Sequence, residues 1–181
     1  MPKIFINPGH DPVSLKGTEG YDPGAVNEYL ELAENEIAAS IGELVEKYLN
    51  DAGCETKVLQ DESLEKICAV ANAWGADLFV SIHCNAFNEL AHGTETHTYP
   101  GDADGMKLAK CINDQIVNSL DITDRGTKES RFTVLSGTNM PAVLVETAFI
   151  NNTSDAIMLR DDQDEFARAI ARGVTDYYQE D

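Results

Sequence analysis

His10, His83 and Glu146 each stand at the end of a short apolar run, and Glu34 heads an apolar helical stripe. Neutral imidazole is the commonest protein metal ligand, so two histidines in equivalent positions, joined by a carboxylate, read as a metal site. The helix carrying the carboxylate is placed at about residues 29–51 by Ile37, Ile41, Leu44, Val45 and Tyr48, and Gly53 closes it. At about 100° per residue, Ile41 and Val45 fall about 20° to either side of Glu34, and Tyr48 about 40° away. Glu36 points about 160° from that stripe and Glu31 about 60°, so Glu34 is the expected ligand and Glu31 the fallback. A carboxylate on a buried stripe needs a partner charge. In a chain with 13 Lys and Arg against 32 Asp and Glu, a divalent cation is the natural one. His10, Glu34 and His83 suit Zn²⁺ in its open catalytic form, with water in the fourth position. Glu146 ends the apolar run Ala142-Val-Leu-Val and is unexpected there for structure alone. It reads as a catalytic carboxylate that takes a proton from water and returns it to a leaving amine.

The elements that must position these groups follow from the hydrophobic pattern. Strands are expected at 3–7, 55–60, 77–83, 94–99, 131–135 and 142–146, and helices at 62–74, 103–120, 153–160 and 162–179 in addition to 29–51. Residues 8–27 form a long loop rich in Gly and Pro, of a kind that is usually functional; residues 121–131 read as a polar loop. Alternating strands and helices argue a layered α/β fold. The near-continuous apolar run at 77–82 argues a sheet covered on both faces. Open α/β sheets place their sites at the carboxyl ends of strands, where His10, His83 and Glu146 stand.

The 181 residues suffice for one core, and no linker or repeat divides them, so residues 1–181 are expected to be one unit. A formal charge of −19 disfavours nucleic acid and anionic membrane surfaces as partners. No apolar stretch approaches the ~18–20 residues of a membrane helix. The N-terminal run reads as a strand and not as a signal peptide. Cys54, Cys68, Cys84 and Cys111 form no CxxC pair and are expected to be small buried thiols. His92 is expected in solvent and His97 in a structural role, while Asn85 and Glu95 are candidates for substrate contact without an assigned role.

The chain also resembles a known family. The motifs are Ile6-Asn-Pro-Gly-His10, Asp22-Pro-Gly-Ala-Val26, Glu34 with its spacing to Ala52-Gly53, and Asp77-Leu-Phe-Val-Ser-Ile-His-Cys-Asn-Ala86. Gly93-Thr-Glu-Thr, Arg125-Gly126, Pro141-Ala-Val-Leu-Val-Glu146 and Phe149-Ile-Asn-Asn152 follow in order. In that order and spacing they resemble the zinc-dependent N-acetylmuramoyl-L-alanine amidases of the amidase-3 type, cell-wall hydrolases that include endolysin catalytic domains. The resemblance implies a single α/β domain with a twisted, mostly parallel sheet of about six strands, flanked by helices on both faces. It implies zinc on His10, Glu34 and His83, Glu146 as the catalytic residue, and peptidoglycan as partner. The reaction would be cleavage of the amide between N-acetylmuramic acid and L-alanine, at a bacterial cell wall reached from outside or by release from the cytoplasm. A zinc peptidase or deacetylase acting on another amide, or a peptidoglycan-binding module without turnover, are the alternatives. The loop after His10 reads Asp11-Pro12 where the family usually has Gly-Gly, and Ala38 stands where it often has Asn.

Overall fold

In the computed structural model, which describes residues 1–179, the elements in chain order are β1 (Lys3–Pro8), β2 (Val26–Asn27), β3 (Leu32–Ala33), α1 (Glu34–Asp51), β4 (Glu55–Val58), α2 (Leu64–Trp74), β5 (Leu78–Asn85), β6 (Thr94–Thr98), α3 (Ala103–Leu120), β7 (Asp124–Glu129), α4 (Thr133–Ser136), β8 (Ala142–Phe149), α5 (Thr153–Asp161) and α6 (Gln163–Tyr177). Six strands form one sheet in the order β4-β1-β5-β8-β6-β7; β2 and β3 make a separate small hairpin. All neighbours in the sheet are parallel except β6 and β8, which are antiparallel. The expected α/β class, with a mostly parallel sheet of six strands, is therefore the architecture observed.

Strand alternation sends two sets of apolar side chains to opposite faces. Ile4, Ile6, Val80, Ile82, Val143 and Val145 pack with α1, α3 and α6. Phe5, Phe79, Ala142 and Leu144 pack with Ile67, Cys68 and Ala71 of α2 and with Val134 and Leu135 of α4. Both faces are thus covered, as the apolar run in β5 requires. On the second face, α2 and α4 cover the apolar rows. Further along the same strands the row changes to His83, Glu146 and Glu95, which are register partners across β5, β8 and β6.

The helix starts show how sequence places the site. Ser63, Asp102 and Asn152 cap α2, α3 and α5 with side-chain oxygens. Ala33 offers α1 no side-chain cap. Instead, the first two N–H groups of α1, from Glu34 and Asn35, donate to the carbonyls of Ala25 and Pro23. The loop carrying Asp22-Pro-Gly is thereby tied to the first turn of α1, with Glu34 at its very start.

Several boundaries differ from the sequence expectations. The strand expected at 131–135 is absent; α4 occupies Thr133–Ser136, and the sixth strand is β7, inside the stretch expected to be a loop. β7 is an edge strand that pairs with β6 only, so it needs no buried apolar row and its sequence, Asp-Arg-Gly-Thr-Lys-Glu, shows none. Helix α1 begins at Glu34 and not near residue 29, because the β2–β3 hairpin takes the preceding residues. Strands β5 and β8 run on to Asn85 and Phe149, so His83 and Glu146 lie inside strands and not at their last residues. A register shift after His83 breaks the ladder there. All four cysteines are buried thiols outside any disulfide, as expected.

Candidate active site

The structure brings His10, Glu34 and His83 together: one nitrogen or oxygen from each lies within 4.8 Å of the others. His10 Nε2 is 3.0 Å from Glu34 Oε2, and His83 Nδ1 is 2.9 Å from Glu34 Oε1. Each residue is held from a different element. Gly9, just past β1, donates its N–H to the Ile82 carbonyl and keeps the turn beside β5. His10 then adopts a left-handed backbone, φ 61°, a conformation that costs a non-glycine residue of order 1–3 kcal/mol and clusters at functional sites. Its ring is locked by Asp22, whose Oδ2 lies 3.0 Å from Nδ1. The Asp22 N–H donates to Asp11 Oδ2 at 2.8 Å, which gives the unusual Asp11 a structural purpose.

Glu34 is only 4% exposed. Its carboxylate accepts backbone N–H bonds from Ala25 (2.8 Å) and Cys84 (3.0 Å) besides facing both imidazoles. Two glycines make this closeness feasible. A Cβ on Gly24 would sit 2.5 Å from Glu34 Oε2 and 2.5 Å from His10 Cδ2, and one on Gly9 would sit 2.3 Å from His83 Cε1. Gly24 also has φ 72°, a left-handed conformation that glycine tolerates best.

Electrostatics agree with this packing. Burial pushes the Glu34 carboxyl up, but the two histidines outweigh it and hold it at about 2. Burial lowers His10, yet Glu34 and then Asp22 raise it to about 9. The cluster therefore already requires positive charge against Glu34. Two imidazoles and one carboxylate, with Asp22 holding one imidazole from behind, form a donor set that fits a zinc-class cation with an open position. The fallback, Glu31, is exposed, sits in the β2–β3 turn at φ 55°, and is not part of the cluster.

Glu146 opens into the same cleft, a cavity of about 350 Å³ whose lining includes His10, Glu34, His83, Asn85 and Phe132. Its Oε2 is buried and has no hydrogen-bond partner among the described residues. Burial, then the charges of Glu34 and Glu95, raise its pKa to about 8, with His10 opposing. A carboxyl so placed exchanges protons near neutral pH.

Sequence reasoning gave no role to what lies on the far side of Glu146. Glu95 is buried and faces four groups: His97 Nε2 at 3.0 Å, Asn85 Nδ2 at 3.2 Å, Arg125 Nε at 2.7 Å, and Lys128 Nζ. His97 also meets Ser130 Oγ at 2.8 Å, and its ring lies edge-on to Phe132 in the cleft wall. Burial keeps the His97 pKa below its ordinary value despite Glu95. His92 is exposed, as expected. The signals in the sequence that pointed to this side of the cleft were the Gly93-Thr-Glu-Thr and Arg125-Gly126 motifs and the candidacy of Asn85 and Glu95 for substrate contact. Asp22, likewise, was visible only as part of a motif.

With this fold and site in view, the comparisons with known proteins converge. Residues 4–176 match the N-acetylmuramoyl-L-alanine amidase family model of the amidase-3 type. The chain is 35% identical over 178 residues to the N-acetylmuramoyl-L-alanine amidase CwlM of Bacillus licheniformis, covering 96% of this chain and 66% of that protein. It is 38% identical over 186 residues to the protein YqiI of Bacillus subtilis, covering 98% of this chain and 85% of that one. The crystal structure of the N-acetylmuramoyl-L-alanine amidase from Clostridium difficile 630 superposes with a TM-score of 0.87 at 30% identity, covering 99% of this chain and 97% of that one. The fold and the match over nearly its whole length define an amide hydrolase of the bacterial cell wall: the chain belongs to the N-acetylmuramoyl-L-alanine amidase family.

Proposed function

We propose that this chain hydrolyses the amide between the lactyl group of N-acetylmuramic acid and L-alanine in peptidoglycan, using Zn²⁺ held by His10, Glu34 and His83 and proton transfer by Glu146. The observation that carries the proposal is the position of Glu146. Glu146 lines the cleft together with the three candidate ligands, and its Oε2 is buried there without a hydrogen-bond partner among the described residues. When bound, such an ion polarises the scissile carbonyl and lowers the pKa of water.

The remaining chemistry belongs to the chain. Asp22 fixes the His10 ring through Nδ1 and leaves Nε2 turned toward Glu34. The apolar side chains of Phe132, Val134 and Leu144 line the cleft beside the charged groups and lower the local dielectric there, which strengthens electrostatic interactions. Glu146 Oε2 accepts a proton from the attacking water and delivers it to the departing alanine nitrogen, so that an amine and not an amide anion leaves. All four side chains are present, which argues against a binding module without turnover. The family match argues against a different amide. Among the described residues no helix is long and apolar enough to cross a membrane.

The test is a mass spectrum of purified walls after digestion. Muramic acid with a free lactyl carboxyl and peptides with a new L-alanine N-terminus are the expected products. Cuts confined to bonds within the stem peptide, or no cuts by protein of full zinc content, would overturn the proposal.

A further inference from the structure

Thirteen Lys and Arg are spread over a chain of net charge −19, yet two of them converge on one carboxylate beside the cleft. Arg125 and Lys128, both on β7, reach back over β6 to Glu95 Oε2. Glu95 is the register partner of Glu146 on the neighbouring strand, so both side chains face the same side of the sheet. His97 completes the group at Glu95 Oε1 and, being held toward its neutral form, adds no charge. The cluster therefore brings two cations to one carboxylate beside a cleft in an acidic protein.

The two cations are also placed to be used. Glu95 is 8% exposed at its side chain, whereas Arg125 and Lys128 are 34% and 39% exposed. The Arg125 guanidinium lies 4.9 Å from the Phe149 ring centroid, which steadies it. Its Nε serves Glu95, while a single long contact of 3.5 Å, from Nη1 to the His92 carbonyl, engages its terminal nitrogens among the described residues. A guanidinium edge of this kind suits a carboxylate.

We propose that Arg125 and Lys128 form an anion subsite that takes the carboxylate on the second residue of the stem peptide. The inference rests on the amide cut proposed above. Reach fits that residue. Glu95 and Glu146 are opposed in an antiparallel pair, whose Cα atoms stand about 4.5–5.5 Å apart, and the two cations come to Glu95 from β7, one strand spacing further, so they stand on the order of 5–10 Å from Glu146. From the alanine nitrogen that Glu146 protonates, one N–Cα bond, one Cα–Cα step of about 3.8 Å and one further bond lead to the second residue's carboxylate, at most about 7 Å away. Glu95 is the positioning residue that holds both cations at this depth. In walls where the second residue is amidated, the same cations face a neutral carboxamide and the subsite loses its charge partner.

The test compares two synthetic muramoyl peptides that differ only at the second stem residue, one with a free carboxylate and one with a carboxamide. The wild-type protein is expected to prefer the carboxylate by about tenfold or more in kcat/KM, since a charged hydrogen-bond partner is at stake, with the difference chiefly in KM. Arg125→Gln and Lys128→Gln should each reduce that preference, raising KM for the carboxylate peptide while leaving the carboxamide peptide little affected. High salt should narrow the preference in wild type. If the variants slow both peptides equally, the cluster only braces β6 against β7 and the subsite is refuted; so it is if wild type shows no preference. Should wild type cut neither peptide, the proposed amide cut itself fails. Calorimetric binding of the free stem peptides then decides the subsite separately: a carboxylate preference lost in Arg125→Gln supports it, and equal binding refutes it.

Discussion

Glu34→Ala is expected to remove metal binding and amide hydrolysis together, whereas Glu31→Ala should leave both intact. Glu34 is the one carboxylate in the cluster, and it lies between two imidazoles at 2.9 and 3.0 Å. Changes to groups that merely support a metal ligand typically cost 10–100-fold in affinity, so loss of a ligand should exceed ~10²-fold. The alanine variant also strands the Ala25 and Cys84 N–H groups that the carboxylate accepts, at a cost of about 1–3 kcal/mol for each buried donor. Glu34→Gln keeps an acceptor oxygen there and separates metal loss from unfolding. The check is metal content by atomic emission alongside circular dichroism. Metal retained by both Glu34 variants would remove this residue from the ligand set.

Glu146→Gln should behave in the opposite way, keeping metal and fold while turnover falls by at least ~10²-fold, the usual scale of a lost proton-transfer group. Near-normal turnover would leave Glu146 as an ordinary buried carboxyl. The same variant carries a stability signature. In the metal-free protein the Glu146 pKa is raised to about 8 from 4.5. The folded chain thus binds a proton that the unfolded chain releases within that window. The stabilisation is complete below pH ~4.5 and is lost as pH rises toward ~8, with a slope of at most ~1.4 kcal/mol per pH unit. Glu146→Gln has no such proton. In urea unfolding with chelator present, the wild type should lose stability relative to the variant between pH 5 and pH 8; parallel pH curves would contradict the burial argument.

The course of these residues through the fold explains which parts of the site were legible. His10 and His83 each follow an apolar run, and Glu34 heads a stripe with Ile41 and Val45, so local periodicity alone put these three on one list. What periodicity does not encode is the support. Asp22 and Gly24 sit in an irregular loop, and their closeness to His10 arises because α1 is capped by loop carbonyls and not by a side chain. The Glu95 cluster depends on the pairing of β6 with both β8 and β7. β7 is a polar edge strand without an alternating apolar row, and Arg131 to Leu135 offered a more apolar decoy whose Thr133 to Leu135 fold into α4. Edge strands and loop caps are fixed by tertiary partners, so their signal lies in residues distant along the chain.

The central claim, that one zinc ion held by His10, Glu34 and His83 is required for cutting the muramoyl amide, is tested most directly by zinc titration of chelator-stripped protein, with release of L-alanine N-termini from walls as the readout. Activity should be absent at the start, rise linearly, and break at one equivalent of zinc per chain. Full activity in the stripped protein, with no zinc detected, would contradict it.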